Sequence, residues 1–556
     1  MASQDSLTFD YVIVGAGSAG CVLADRLSAD GKHQVCVLEF GGSDRSVIIQ
    51  MPAALSMPMR SKTYNWGYHT EPEPGLGGRS LHCPRGKVIG GSSSVNGLVY
   101  VRGNPLDFDR WESEGATGWA YRQVLPYFRR AESRRDGGNA YRGDSGPLAT
   151  RYGTLANPLY RAFIEAGRQA GYPVTEDINA GSQEGFGLLD MTVKDGLRWS
   201  TANAYLKPAM KRPNLAVVTG ALATRILFEG KRAVGIAYEK HGRSYAVKAR
   251  REVVLSGGPI NTPQLLKLSG VGPAGELRQH GIDVVHHLPG IGENLQDHLE
   301  FYFQVACRQP ITLYSWQGLL GRAIVGARWL FFRNGLGATN HFESCGFIRS
   351  HPGVGYPDIQ YHFLPLAVSY DGKNLATEHG FQAHVGPMRS KSRGWVRLKS
   401  ADPREHPRIF FNYMSHPDDW AEMRAGVRLT REIFAQSPFD PYRGREIQPG
   451  AHVTSDADID AFIREKAETA YHPSCTCRMG AASDMMAVVD PETRVIGLSA
   501  LRIADSSIMP SITTGNLNAP TIMIGEKAAD HILGKGMLPA SNAEYHREPD
   551  LQPIQL

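Results

Sequence analysis

The sequence predicts a two-part chain of the α/β plus α+β kind. A Rossmann-like dinucleotide-binding domain, discontinuous along the chain, carries a second domain built on an antiparallel sheet. Three observations predict it. The chain opens with strand, glycine turn, helix and strand; aromatic-rich alternating runs fill about residues 307–455; and a strand and an amphipathic helix return at 501–505 and 521–533. The length of 556 residues suits roughly two to four domain-sized units.

In order, Tyr11–Val14 is a short β-branched run followed by Gly15-Ala16-Gly17-Ser18-Ala19-Gly20, and Cys21 to Leu27 have helical spacing. Gln34–Glu39 reads as a second strand, stopped by Gly41-Gly42. Residues 51–103 are dense in Gly, Pro and Ser yet rich in apolar side chains, which marks a functional loop region rather than disorder. A helix is expected over 119–134, hairpin strands near 215–218 and 233–236, and a strand at 252–258. Ile359–Phe363 and Trp395–Leu398 alternate as in an antiparallel sheet. The expected boundaries are 1–155, 215–306 and 465–538 for the first domain, and 156–214 and 307–464 for the second. Residues 539–556 are expected to be a polar, mobile tail.

Composition excludes several classes. Hydrophobic residues at 42% and charged residues at 21% are ordinary for a globular chain, against disorder. A net charge of +5 without a basic run argues against nucleic-acid binding. Seven scattered cysteines with no CxxC pair give neither a disulfide framework nor a metal site, and fit a reducing compartment. No apolar run reaches the length of a membrane span, and residues 1–8 lack a signal-peptide core. A cytoplasmic protein is expected, with peripheral contact at the inner face of the cell membrane left open.

Gly15, Gly17 and Gly20 form GxGxxG between a strand and a helix, with Glu39 about 20 residues on. The first glycine permits the turn, the second lets a pyrophosphate approach the backbone, and the third lets helix and strand pack closely. The helix N-terminus offers N–H groups to the phosphates, and Glu39 can accept from a ribose diol. The motif alone does not separate FAD from NAD.

Longer motifs narrow the choice. Gly86-Lys87-Val88-Ile89-Gly90-Gly91-Ser92-Ser93-Ser94-Val95-Asn96 resembles the first signature of the glucose–methanol–choline (GMC) oxidoreductases, and the run from Gly258 to Gly272 resembles the second. Gly292–His298, His472-Pro473 and Asn516-Leu517-Asn518 are similar to further family segments, so the resemblance spans Phe9 to about Leu533. It implies FAD-dependent alcohol oxidation. The implied cofactor contacts are Gly15, Gly17, Ser18, Ala19, Gly20, Glu39, Gly90, Gly91, Ser92, Asn96, Gly97, Ala223 and Asp505, with no metal. Stretches such as Tyr64-Asn65-Trp66, Asn340–Glu343 and Ile359–Phe363 resemble the choline-oxidising members, so choline, oxidised to betaine aldehyde and onward to glycine betaine, is the expected substrate. A different primary alcohol is the alternative, and the expected electron acceptor is the respiratory chain or a quinone.

The sequence departs from the family twice. Val95 stands where some relatives carry a flavin-linking His, so FAD is expected to be noncovalent. Cys475 stands where relatives often have Gly, which puts a thiol near the expected flavin.

His472 is the family's candidate to take the hydroxyl proton, since imidazole titrates near neutrality. Whether it acts as base or as electrostatic stabiliser is open at this level. Asn516 is the second member of the pair, able to donate to the alkoxide. A quaternary ammonium calls for aromatic faces and a carboxylate. Glu343 is the candidate carboxylate, with Trp66 and Tyr471 as candidate walls.

Overall fold

The computed structural model describes residues 7–368 and 377–546. Its first sheet has the strand order Leu215–Thr219, Val35–Glu39, Thr8–Val14, Arg243–Leu255, Arg232–Lys240, Leu222–Glu229, with Leu501–Ile503 also paired to Arg243–Leu255. Thr8–Val14 lies parallel to both of its neighbours. Its last four residues are buried, as are all five of Val35–Glu39. Strands covered on both faces read as continuous apolar runs, which is how they stood out in the sequence. The helices Ser18–Ser28 and Asn518–Ile532 pack together beside this sheet, with Tyr121–Ala131 against the latter.

The second sheet runs Arg443–Gln448, Leu299–Cys307, Gly380–Pro387, Ile359–Leu364, Ser344–Ile348, Gly185–Leu188, Val174–Thr175. The pairings among the central strands are antiparallel. Side chains alternate between its faces. Phe301, Phe303, Tyr361, Phe363, Phe381 and Ala383 join one core with the helices Pro158–Gln169 and Pro417–Ala435. The intervening residues Glu300, His362 and His384 face the other way, into a cavity between the two sheets. The aromatic core therefore sets which side of the sheet carries polar chemistry.

Several expectations are corrected. Leu215–Thr219 is not a hairpin strand; it lies parallel to Val35–Glu39, and the hairpin is Leu222–Glu229 with Arg232–Lys240. The helix expected over 119–134 is Tyr121–Ala131, because Glu132 begins a short strand and its buried carboxylate pairs with Arg102 and Arg142. Leu299–Cys307, placed before residue 307 with the first domain, pairs within the second sheet. Residues 539–546 of the expected mobile tail are docked: Ser541 N–H donates to Arg122 O (2.7 Å), Tyr545 OH to Asp109 (2.6 Å) and His546 N–H to Gly181 O (2.8 Å). The remainder, 547–556, lies outside the described residues.

Candidate active site

The cavity measures about 2010 Å³ including its open mouth, and it runs from the Gly15–Ala19 turn to His472 and Asn516. At the nucleotide end the packing explains the glycines. A Cβ on Gly20 would stand 2.0 Å from the Gly15 carbonyl oxygen, and one on Gly15 would stand 2.5 Å from that of Ser256. Gly17 caps the helix Ser18–Ser28 without a side chain, and no acidic residue occupies its first turn. The helix therefore presents backbone N–H groups and its positive end to the cavity. Glu39 accepts from Ala16 N (2.9 Å) and Gly41 N (2.6 Å), and burial raises its pKa to about 7. Both interactions fix the carboxylate at the cavity wall.

Ser18, Ala19, Gly91, Ser92, Val95, Asn96, Gly97, Ala223 and Asp505 also line the cavity. Asp505 is held by Gly258 N (2.9 Å), Thr262 Oγ1 (2.7 Å) and Ser507 N (2.8 Å). Gly20 and Gly90 are the exceptions. Gly20 is absent from the lining because it packs against the Gly15 carbonyl, and Gly90 is absent too, its N–H donating to Ala16 O (2.7 Å) at φ +85°. Gly90 joins the Gly91–Ser94 turn to the first glycine loop and does not face the cavity.

At the other end, His472 is pinned from several sides. Its backbone N–H donates to Asp297 Oδ1 (2.7 Å), while Asp297 Oδ2 accepts from Tyr413 OH (2.6 Å) and Thr469 Oγ1. Arg85 donates to the carbonyl of Tyr471 (2.5 Å). Tyr471 has φ +65°, a strained setting for a large side chain, and such strain persists only when neighbours hold it.

The ring's tautomer follows from the hydrogen bonds. His298 Nε2 lies 2.9 Å from the Met388 carbonyl, which only accepts, so Nε2 carries the proton. Burial lowers the His298 pKa to about 4, so its Nδ1 is bare. That Nδ1 lies 3.0 Å from His472 Nδ1, which must then carry a proton. Burial first, then His298, His362 and Arg85, hold His472 well below the usual histidine range, so its Nε2 carries no proton. Asn516 Nδ2 donates to that Nε2 (3.1 Å), and its Oδ1 accepts from Gln360 Nε2 (3.3 Å), with His362 Nε2 3.1 Å from the same oxygen.

The carboxylate at this end is not the one expected. Glu343 is buried and absent from the lining: its oxygens accept from Leu155 N (2.7 Å) and Thr339 Oγ1 (2.7 Å). Its neighbour Phe342 lines the cavity, and extended backbone sends adjacent side chains opposite ways. Glu300 is the acid that reaches the cavity at this end. It accepts from His384 Nδ1 (3.1 Å), whose Nε2 accepts from Gln382 (2.7 Å). Phe342, Trp66 and Tyr471 line the same cavity, with Trp66 stacked on Tyr68.

Glu300, His298, His362 and His384 went unassigned in the sequence. The signals were there: Glu300 is the one charged residue in Leu299–Cys307, and Gln-x-His recurs as Gln360–His362 and Gln382–His384. In the antiparallel pairing His362 lies opposite His384. Cys475 is buried, absent from the lining, and its thiol is pushed up to about 12 by burial. Its φ of +73° is one that glycine adopts without strain.

The two-sheet fold, the glycine turn and the imidazole–amide pair define a flavoprotein-type oxidoreductase site, and family models described as GMC oxidoreductase match residues 9–300 and 390–525. The chain belongs to the GMC oxidoreductases. It is 61% identical over 544 residues to the oxygen-dependent choline dehydrogenase of Brucella ovis, covering 98% of this chain and 99% of that one. With the enzyme of the same name from Sinorhizobium medicae it shares 60% over 535 residues, covering 96% and 97%. Among solved structures it is similar to a pyridoxine 4-oxidase from Mesorbium loti (32% identity, TM-score 0.86, covering 95% and 99%). It is also similar to a formate oxidase of Aspergillus oryzae studied for modification of its FAD (27%, TM-score 0.90, covering 96% and 99%).

Proposed function

We propose that this chain is an FAD-dependent dehydrogenase oxidising choline to betaine aldehyde. One observation carries the reading: a single cavity brings a bare imidazole nitrogen and an oriented amide to the same end as a carboxylate with aromatic walls. The naming of the relatives supports it.

FAD fits the long arm of the cavity, where Gly15, Gly17, Ser18 and Ala19 would hold the pyrophosphate and Glu39 the ribose, while Gly20 lets the helix pack close behind them. Gly91, Ser92, Asn96, Gly97, Ala223 and Asp505 would hold the rest. Bound there, FAD supplies the acceptor for the hydride leaving the alcohol carbon. Val95 has no nucleophilic atom, so the cofactor is held noncovalently.

His472 Nε2 takes the hydroxyl proton, and the Asn516 amide donates to the alkoxide that forms. His298 acts through His472 by keeping the proton on Nδ1. Glu300 faces the trimethylammonium group, with Phe342, Trp66 and Tyr471 as apolar walls; a partly desolvated cation–carboxylate pair with aromatic faces suits a charge that has no N–H to donate. Glu343 is assigned a structural role.

All seven cysteines are free thiols, which supports a reducing, cytoplasmic setting. Among the described residues no helix is long and apolar enough to cross a membrane.

The test is steady-state turnover on a panel of primary alcohols with dye and with oxygen as acceptors. Choline should exceed uncharged alcohols in kcat/KM; an uncharged alcohol at the head of the panel would replace the substrate assignment. Dye turnover without peroxide would assign a respiratory-chain or quinone acceptor, and stoichiometric hydrogen peroxide would assign oxygen.

A further inference from the structure

The helix Leu319–Phe332 is built the wrong way round for a water-facing helix. Of its 14 residues only Trp329 is buried, while Leu319 is 90%, Leu320 75%, Phe331 75% and Phe332 71% exposed. At 3.6 residues per turn, Leu319, Leu320, Ile324, Ala327, Leu330 and Phe331 fall on one side. Trp329 falls on the opposite side and anchors the helix, its Nε1–H donating to Gly196 O (2.7 Å) and its side chain packed where Gly337 has no Cβ. The apolar stripe thus points away from the protein, whereas a surface helix ordinarily turns it inward.

The edges of the stripe are basic. Arg328 flanks one side, Arg322 and Arg333 the other, and all three are exposed. Arg328 is steadied by Asn334 Oδ1 (2.8 Å) and Arg333 lies 4.0 Å over the Trp329 ring. No Asp or Glu occurs from residue 301 to 342.

We propose that this helix is a docking surface for the anionic phospholipid face of a bilayer. It would lie in the interfacial plane with the leucines, Ile324 and Phe331 among the acyl chains and the arginines at the phosphates. A helix of this length, about 21 Å, is too short to cross. A second copy of the chain fits less well. The helix offers a footprint of about 200 Å² against roughly 800 Å² per partner in a specific dimer. A two-fold contact would also set arginine-rimmed faces against each other with no carboxylate between them.

The helix is tied to the cavity. It ends in the Gly335–Ala338 turn, Asn340 donates to Gly97 O (2.9 Å), and Phe342 and Gly97 line the cavity. Docking here would hold the flavin end close to lipid-dissolved acceptors. In that respect alone the inference rests on the proposed respiratory acceptor.

The test is co-sedimentation of the flavin-loaded enzyme with vesicles of phosphatidylcholine, with and without phosphatidylglycerol, across a salt series. We expect binding about tenfold or more tighter with phosphatidylglycerol, weakening with salt. Leu320→Glu and Phe331→Glu should each lose about tenfold or more, and the pair Arg322→Glu, Arg328→Glu should lose the preference for phosphatidylglycerol. Dye-coupled choline turnover of these variants should match the parent, which separates lost docking from lost fold. Failure of the parent to turn over choline would overturn the enzyme reading and leave the vesicle result standing. No sedimentation, equal sedimentation of the glutamate variants, or a concentration-dependent dimer in ultracentrifugation that Leu320→Glu abolishes would each overturn the docking proposal.

Discussion

His472 has its unprotonated nitrogen chosen for it by a backbone carbonyl two residues of contact away. Met388 O fixes the proton on His298 Nε2, His298 leaves its Nδ1 to accept, and His472 keeps its own proton on Nδ1. His472→Ala should therefore retain flavin and lose about two to four orders of magnitude in kcat; a variant within a few-fold of the parent would remove His472 from the mechanism. The two glutamates make a sharper comparison. Glu300→Gln keeps the shape and removes the charge, so choline should lose at least about tenfold more in apparent affinity than its neutral isostere 3,3-dimethyl-1-butanol. Glu343→Gln should leave that ratio unchanged and cost about 1.5–3 kcal/mol of stability, because a charged acceptor for Leu155 N–H and the Thr339 hydroxyl is lost. Kinetics on the two alcohols and urea melts of both variants read these outcomes. At this scale the pairing of His472 with Asn516, which the structure brings to 3.1 Å, was legible because both sit in recognisable motifs. The carboxylate was not, because which face of the sheet Glu300 occupies depends on the aromatic core beneath Phe301 and Phe303, a tertiary fact.

The glycine turn shows how an element carries function through the atoms it lacks. Gly20 has no room for a Cβ, 2.0 Å from a backbone oxygen, whereas one on Gly17 would meet nothing nearer than 3.8 Å and would stand at the cavity. Gly17→Ala should fold and bind FAD at least about tenfold more weakly, while Gly20→Ala should disturb the helix–strand packing itself. Circular dichroism beside flavin titration distinguishes the two; equal behaviour would contradict these separate roles. The turn, its flanking strands and the helix Asn518–Ile532 were readable because local periodicity and glycine spacing fix them. Leu215–Thr219 was misread as hairpin because its partner, Val35–Glu39, lies far off in sequence and no local signal distinguishes parallel from antiparallel pairing. The outward stripe on Leu319–Phe332 also escaped notice: its apolar pattern is that of an ordinary amphipathic helix, and only burial shows which way it faces.

Across the whole molecule, the cavity lies between two sheets assembled from interleaved segments, so neither half lines it alone. Leu299–Cys307 carries Glu300 from the second sheet, while Asp505 and Asn516 arrive from the C-terminal part of the chain. FAD bound along this seam should stabilise both halves by mass action, and Tm should rise with added FAD. With Val95 in the first signature, acid or heat precipitation should release the flavin to the supernatant; colour retained in the pellet would contradict noncovalent binding. The alternation that made two domains legible in sequence could not place their boundaries, since Leu299–Cys307 follows a first-domain motif directly and yet pairs in the second sheet. If this seam oxidises choline through bound flavin, mixing the yellow holoenzyme with choline in the absence of oxygen should bleach the visible flavin absorbance. Bleaching by choline should outpace bleaching by 3,3-dimethyl-1-butanol and be nearly abolished in His472→Ala. Flavin that stays oxidised with choline while another alcohol reduces it would contradict choline as the substrate.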